Sequence, residues 1–368
     1  MSVERLRVEV LLEAPSYDIV CGAGSFDTLP SLLAEWGVAG RIVVCSDDNV
    51  APLHGERLVA LLQRAGVETS LWTMPAGERH KTLQTVESLY AWLAERRVER
   101  RDTIVACGGG VVGDLCGFAA ATYLRGIRLA QVPTTLVAQV DSTVGGKVGV
   151  DLPAGKNLVG AFHQPALVVA DPEVLTTLPP REWHAGMAEV VKHGIIGGAN
   201  LLDALGRDHD AIMAREPGVV ARLVSRAVRV KVDVVRQDPL EVGLRRVLNY
   251  GHTLGHAVER VAGYGVVLHG EAVAWGMAAA ARIGVEIGTC DSAFVAWQDD
   301  LLRGYGLLGA LPRLDPDDLL AATRVDKKSI GGRIYWVLPR RPGEVAITDD
   351  VPDTAVRAAA AWLARGGQ

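Results

Sequence analysis

Asp102-Thr103-Ile104-Val105-Ala106-Cys107-Gly108-Gly109-Gly110-Val111-Val112-Gly113-Asp114 reads as an apolar β-run, a glycine turn and the opening of a helix. A short, continuous apolar run bounded by turn residues suits a strand buried on both faces of a parallel sheet. Gly108, Gly110 and Gly113 satisfy G-x-G-x-x-G, which lets backbone approach a pyrophosphate at a helix N-terminus. Any tight strand-to-helix turn can use glycines, so the match alone is a weak signal. The dinucleotide pattern also requires an acidic residue about 20 positions further on for the ribose. Leu115 to Val140 contains neither Asp nor Glu. Asp47 and Asn49, after the strand-like Arg41-Ile42-Val43-Val44-Cys45, are the natural replacements. Gly77-Glu78-Arg79-His80-Lys81 is a second polar loop after a β-like run.

Outward from this stretch, strand-like runs alternate with amphipathic segments such as Leu58 to Ala65 and Leu83 to Arg96. That alternation predicts an α/β dinucleotide-binding domain with a mostly parallel sheet over residues 1–178. Pro179-Pro180-Arg181 breaks the pattern, and helical periodicity dominates from about 186 to 285, including Val219 to Val235 and Ala272 to Ile287. Residues 179–368 are therefore expected to form a mainly α-helical metal- and substrate-binding domain. Within it, Arg333-Ile334-Tyr335-Trp336-Val337-Leu338 reads as a β-like piece and Asp353 to Arg365 as a closing helix. A chain of 368 residues exceeds one ordinary core, and the cleft between two such domains is the expected place for a site.

Composition narrows the function classes. Hydrophobic content of 49% with 22% charged residues describes a globular, enzyme-like chain. The 41 glycines call for many tight turns or close approaches to ligand. A net charge of −5 gives no electrostatic case for nucleic acid. Cys21, Cys45, Cys107, Cys116 and Cys290 are odd in number and lack a CxxC pair, so they read as reduced thiols in a cytoplasmic protein. Met1-Ser2-Val3-Glu4-Arg5 opens no signal peptide, and no run of about 18 apolar residues exists to span a bilayer.

The second informative stretch is Leu248-Asn249-Tyr250-Gly251-His252-Thr253-Leu254-Gly255-His256, followed by Leu268-His269-Gly270-Glu271. On one helix, Asn249, His252 and His256 would share a stripe. Upstream, Glu189 and Lys192 lie one turn apart in the apolar Met187-Ala188-Glu189-Val190-Val191-Lys192. A carboxylate and two imidazoles with an open fourth position form the ligand set of a catalytic zinc site. The bland alternative is core histidines satisfied by backbone carbonyls. A third cluster, Asp141-Ser142-Thr143-Val144-Gly145-Gly146-Lys147 with Gly155-Lys156-Asn157, suits an anionic ligand, because glycine lets amides and ammonium groups converge. Lys192, Lys231, Arg245, Lys327 and Lys328 add cations that suit one phosphorylated or carboxylate-rich small substrate, or merely solvated helix faces.

Taken together, these motifs resemble 3-dehydroquinate synthase, the sugar-phosphate cyclase family of the shikimate pathway. The resemblance runs from about Gly22 to Leu338 and adds Ala121 to Gly126, Val132 to Leu136 and Asp326-Lys327-Lys328 to the motifs above. It implies NAD, one divalent metal (zinc or cobalt) and a homodimer. Glu189, His252 and His269 become the metal ligands. His256, although spaced to grip a metal with His252, goes to the substrate. NAD contacts fall on Asp47, Asn49, Glu78, Lys81, Gly109, Gly110, Gly113, Asp114, Thr134, Thr135, Lys147 and Lys156, with Thr176 and Thr177 beside them. Asp141, Lys147, Lys192, Arg245, Asn249 and His256 become the catalytic set. Asn157, Lys231 and Lys327 or Lys328 bind substrate, and Arg125 reaches its phosphonate-like end from the other subunit.

The implied substrate is the seven-carbon 2-oxo acid phosphate 3-deoxy-D-arabino-heptulosonate 7-phosphate. Transient oxidation by NAD, β-elimination of phosphate, reduction and intramolecular aldol closure give 3-dehydroquinate with no net NAD turnover. His193, where the family commonly has Tyr, reads as a group behind the ligands or at the surface. Val148 replaces a frequent Thr. Amino-analogue cyclases share nearly every motif. Deoxy-inosose and valiolone cyclases differ at the Asp141 to Asn157 cluster, and metal-dependent alcohol dehydrogenases would not explain Lys147, Lys156, Lys192 and Arg245. A non-catalytic relative would have no need of the intact ligand set.

Overall fold

A computed structural model describes residues 3–8, 16–38, 40–324, 329–330 and 333–367. The chain divides into two compact units, Met1–Pro179 with Arg215–Leu240, and Pro180–Ala214 with Glu241–Gln368.

The first unit holds strands β1 (Glu4–Val8), β2 (Tyr17–Cys21), β3 (Ile42–Asp47), β4 (Thr69–Met74), β5 (Thr103–Gly108), β6 (Arg128–Pro133), β7 (Lys147–Leu152), β8 (Gly155–Phe162) and β9 (Leu167–Ala170), with helices α1 (Leu29–Glu35), α2 (Glu56–Arg64), α3 (Leu83–Glu95) and α4 (Gly110–Thr122). Seven strands form one sheet in the order β1-β2-β9-β6-β5-β3-β4. Every pairing in it is parallel except β1 with β2. Alternate residues of the central strands serve opposite faces, as the period of 2 requires. Val43, Cys45, Ile104 and Ala106 pack with α3 and α4, whereas Ile42, Val44, Val105 and Cys107 pack with α1 and α2. β7 and β8 form a separate antiparallel hairpin. It lies close to α4, since a β-carbon at Gly117 would come within 2.3 Å of Val148.

The second unit contains α5 (Pro180–Gly197), α6 (Ala199–Arg207) and α7 (His209–Met213). The next helix, α8 (Pro217–Gln237), belongs with the first unit, where it packs on β1 and the turn Ala138–Ser142. Dividing the chain at 178/179 therefore puts α8 on the wrong side. Its apolar stripe of Val220, Val224, Val228 and Val235 is satisfied equally well by a sheet-bearing neighbour or by other helices, and periodicity cannot choose between them. The second unit resumes with α9 (His252–Ala262), α10 (His269–Glu286), α11 (Ser292–Gly304) and α12 (Pro316–Arg324), then β10 (Ser329–Ile330), β11 (Arg333–Ile334), β12 (Trp336–Arg341), β13 (Glu344–Thr348) and α13 (Asp353–Ala364). The β-like piece expected over 333–338 is split: β11 pairs with β10, and β12 with β13.

Glycine decides how α9 and α10 meet. A β-carbon at Gly276 would lie 1.9 Å from the Gly251 carbonyl oxygen, and one at Gly255 would lie 3.0 Å from that of Ala272. On α10's other neighbour, a β-carbon at Gly270 would lie 1.8 Å from the Ala185 carbonyl oxygen of α5. The three helices thus approach at backbone contact. Among the described residues no helix is long and apolar enough to cross a membrane.

Candidate active site

In the first unit, the candidate cofactor residues follow the C-terminal ends of the parallel strands. Asp47 closes β3, and the Asn49 loop follows it. Glu78 and Lys81 follow β4, Gly109 and Gly110 follow β5, Thr134 and Thr135 follow β6, and Thr176 and Thr177 follow β9. β3 and β5 are neighbours, but the chain leaves β3 for β4 on one side and leaves β5 for β6 on the other. This reversal of strand order is the point at which open α/β sheets bind ligands. A β-carbon at Gly109 would meet Thr135 at 3.0 Å, and one at Gly110 would meet the Ser142 hydroxyl at 3.2 Å. Both glycines therefore keep open a cradle that a side chain would fill. Thr134 Oγ1 and Ser142 Oγ are buried there and find no hydrogen-bond partner among the described residues. These features fit a dinucleotide's phosphates and ribose hydroxyls. Asp47 orders its own loop, its Oδ1 accepting the Asn49 and Val50 amides at 3.0 and 2.9 Å.

Lys81 and Asp114 form the polar anchor of this edge. The Lys81 ammonium, 3% exposed, donates to Asp114 Oδ2 at 2.5 Å and to Asn157 Oδ1 at 2.6 Å. Burial works against its charge, but the Asp114 and Glu78 carboxylates prevail and hold it above the usual lysine range. Asn157 takes a left-handed conformation (φ 51°), tolerable for Asn, and its amide donates to Asp151 Oδ1 at 2.7 Å. Asp151 carries no sequence motif and is a contributor that only the fold identifies. Lys156 lies 3.7 Å from Glu78, and Lys147 opens β7, exposed. Lys231 is buried on α8 and donates to the Asp141 carboxylate at 2.8 Å and to its carbonyl at 2.6 Å, so it is no solvated helix-face lysine. Arg125, exposed and at φ 69°, lies between α4 and β6, before the N-terminal end of that strand, whereas the residues above follow the strands' C-terminal ends.

The second unit assembles the imidazoles. Asn249 ends the short 3₁₀ turn Leu244–Asn249, and Gly251 at φ 80° separates it from α9. The continuous stripe expected for Asn249, His252 and His256 is therefore interrupted. The left-handed Gly251 packs on Met277 and Val273 of α10, and a side chain there would collide. His252 and His269 are the first residues of α9 and α10. Their Nε2 atoms face one oxygen of the fully buried Glu189, at 3.7 and 3.4 Å. Lys192 pairs with the other oxygen. One ligand atom from each of Glu189, His252 and His269 lies within 4.8 Å of the others. The opposite ring nitrogens are engaged: His252 Nδ1 with the Tyr250 carbonyl at 3.1 Å, and His269 Nδ1 with Glu259 Oε2 at 3.1 Å. Burial opposes charge on His269, but Glu259 and Glu189 outweigh it and raise the ring to about 10. This donor set of one carboxylate and two imidazoles fits a divalent cation of the zinc type.

His256 stands beside them, its ring centroid 5.4 Å from that of His252 and 5.8 Å from that of His269. Asn249 Nδ2 donates to Glu241 Oε1 at 2.9 Å, and Arg245 is buried in the same turn. His193 is fully buried on α5, which corrects its surface reading. Lys327 and Lys328 lie outside the described residues. Glu259 and Glu241 escaped the sequence reading, although Glu259 stands three residues after His256 on the imidazole face of α9.

Comparison with known proteins identifies the family. The family model for the 3-dehydroquinate synthase N-terminal region matches residues 71–185, and that for the C-terminal region matches 186–329. A 3-dehydroquinate synthase of Symbiobacterium thermophilum is 50% identical over 344 residues, covering 93% of this chain and 96% of that protein. One from Nostoc punctiforme is 45% identical over 353 residues, covering 95% and 97%. Among solved structures, 2-epi-5-epi-valiolone synthase of Streptomyces hygroscopicus, with NAD+ and Zn2+ bound, is 30% identical with a TM-score of 0.88, covering 98% and 99%. A 2-deoxy-scyllo-inosose synthase complexed with carbaglucose-6-phosphate, NAD+ and Co2+ is 27% identical with a TM-score of 0.85, covering the same shares. The glycine cradle, the Lys81 anchor and the Glu189 centre thus sit in a chain matched along nearly its whole length, and it belongs to the 3-dehydroquinate synthase family.

Proposed function

We propose that this protein is a 3-dehydroquinate synthase, a carbon–oxygen lyase that converts 3-deoxy-D-arabino-heptulosonate 7-phosphate to 3-dehydroquinate and phosphate. The observation that carries the reading is the convergence of His252 and His269 Nε2 on one oxygen of Glu189, with Lys192 on the other. Identities of 45–50% to 3-dehydroquinate synthases, against 27–30% to the inosose and valiolone synthases, favour this substrate over theirs.

NAD, when bound, supplies a reversible hydride acceptor that acidifies the carbon next to the oxidised alcohol. A divalent cation at Glu189, His252 and His269, when bound, supplies Lewis acidity toward the substrate's hydroxyl oxygens. The chain's own residues do the rest. The Gly109–Gly110 cradle with Thr134 and Thr135 orients the dinucleotide, and Lys81 with Asp114 fixes the wall beside it. Lys147, Asn157, Lys192, Lys231 and Arg245 bind carboxylate and phosphate by charge-assisted hydrogen bonds. Asn249, held by Glu241, and His256 meet ring hydroxyls, with Lys327 or Lys328 as further contacts. Arg125, before the N-terminal end of β6, serves the partner subunit of a homodimer. Five free cysteines, four of them buried, support a cytoplasmic setting.

The test is to supply the heptulosonate phosphate with zinc or cobalt and substoichiometric NAD, and to follow phosphate release. Many turnovers per NAD are expected. One NAD consumed per product would favour a dehydrogenase instead.

A further inference from the structure

Among the described residues, two groups that share His269 could hold a cation. Glu189, His252 and His269 form one, His256, Glu259 and His269 form the other, and each has its ligand atoms within 4.8 Å of one another. Both contain His269, so the orientation of that one ring bears on which set a cation joins. We propose that Glu259 is a positioning residue: its carboxylate holds His269 by Nδ1, keeps Nε2 turned toward Glu189, and thereby commits the cation to the Glu189 set. This rests on the metal-centre reading above and names the residue that determines its geometry.

The argument starts from α9. His252, His256 and Glu259 recur at spacings of four and three, so one helix face carries all three toward α10. Glu259 is 2% exposed, and a buried carboxylate needs strong donors. One such donor is His269 Nδ1 at 3.1 Å. An imidazole that binds a cation is neutral and has one N–H, so placing it on Nδ1 leaves the lone pair on Nε2, the atom 3.4 Å from Glu189. With the proton on Nδ1, Nε2 is the one atom of His269 that can bind a cation, and that atom faces Glu189. The two ligand imidazoles are also backed unequally. A neutral carbonyl of Tyr250 backs His252, and a full carboxylate backs His269. A carboxylate behind an imidazole raises its basicity as a ligand and fixes its tautomer.

The experiment uses the full-length protein stripped of metal and reloaded with Co2+. It measures affinity by chelator competition, the visible spectrum of the bound ion, and thermal unfolding of each metal-free form. Glu259→Ala is expected to weaken Co2+ binding about 10- to 100-fold and to change the visible spectrum. Glu259→Gln keeps an acceptor of the same shape and should restore part of the affinity. His256→Ala should leave both affinity and spectrum as in the wild type. Wild-type affinity and spectrum in Glu259→Ala would overturn the proposal. If that variant does not fold, the same result in Glu259→Gln would overturn it. A merely structural role would lower metal-free thermal stability without moving the spectrum. Failure of the wild type to bind Co2+ would instead overturn the metal-centre reading.

Discussion

Lys81 and Asp114, 33 residues apart in sequence, meet at 2.5 Å at the edge where β4 and β5 end. The lysine is almost wholly enclosed, so its charge depends on this carboxylate first and on that of Glu78 next. Asp114→Ala strands an ammonium in a poorly solvated place. It should cost about 3 kcal/mol of stability and weaken NAD binding about tenfold, about 1.4 kcal/mol. Urea unfolding and an NAD titration of the same preparation check both. Unchanged NAD affinity in a folded variant would remove Lys81 and Asp114 from the cofactor wall.

At the second unit's centre, the imidazoles are assigned different tasks. His269→Ala should lose most bound zinc or cobalt, because it removes one of three ligands to a cation. His256→Ala should keep its metal and lose substrate binding. Metal analysis after dialysis separates them, and equal loss in both variants would mean that the cation is held by the other overlapping set.

Close helix packing gives a prediction independent of any ligand. A methyl at Gly270 would stand 1.8 Å from the Ala185 carbonyl oxygen, an overlap that only movement of α10 can relieve. Gly270→Ala should destabilise the protein by about 3 kcal/mol, and it should weaken metal binding because His269 is the preceding residue on that helix. Thermal unfolding of the metal-free form would show no loss if the helices can part freely.

Cys21, Cys107 and Cys290 should be inert at neutral pH. Burial, with help from Glu4, pushes Cys21 up to about 12, and burial with Asp47 does the same for Cys107; burial and Asp291 take Cys290 to about 11. Thiolate forms only as pH approaches those values, so reactivity rises with pH and is very low at pH 7. A chromogenic disulfide reagent should label Cys21 and Cys107 only on unfolding. Rapid labelling of the native protein at pH 7 would contradict that burial.

The amino-acid sequence by itself determined much of this protein. Buried strands such as Thr103 to Cys107 show in their uniform apolarity, because a strand covered on both faces has no solvent side to mark. Glu189 and the imidazoles of His252, His256 and His269 stood out because carboxylate and imidazole are costly in apolar segments, but spacing alone left His252 with His256 as a candidate pair, and the choice of Glu189, His252 and His269 came from the family resemblance. What sequence could not decide was set by contacts between distant segments. α8 joins the first unit because its stripe names no partner. Asn249 leaves the imidazole helix because Gly251 must take a left-handed turn against Met277. Glu259, Glu241 and Asp151 hydrogen-bond with His269, Asn249 and Asn157, and nothing in local spacing states which group a carboxylate will face. Periodicity fixes which face of an element is apolar. Only packing at 3 to 4 Å fixes which polar groups then meet.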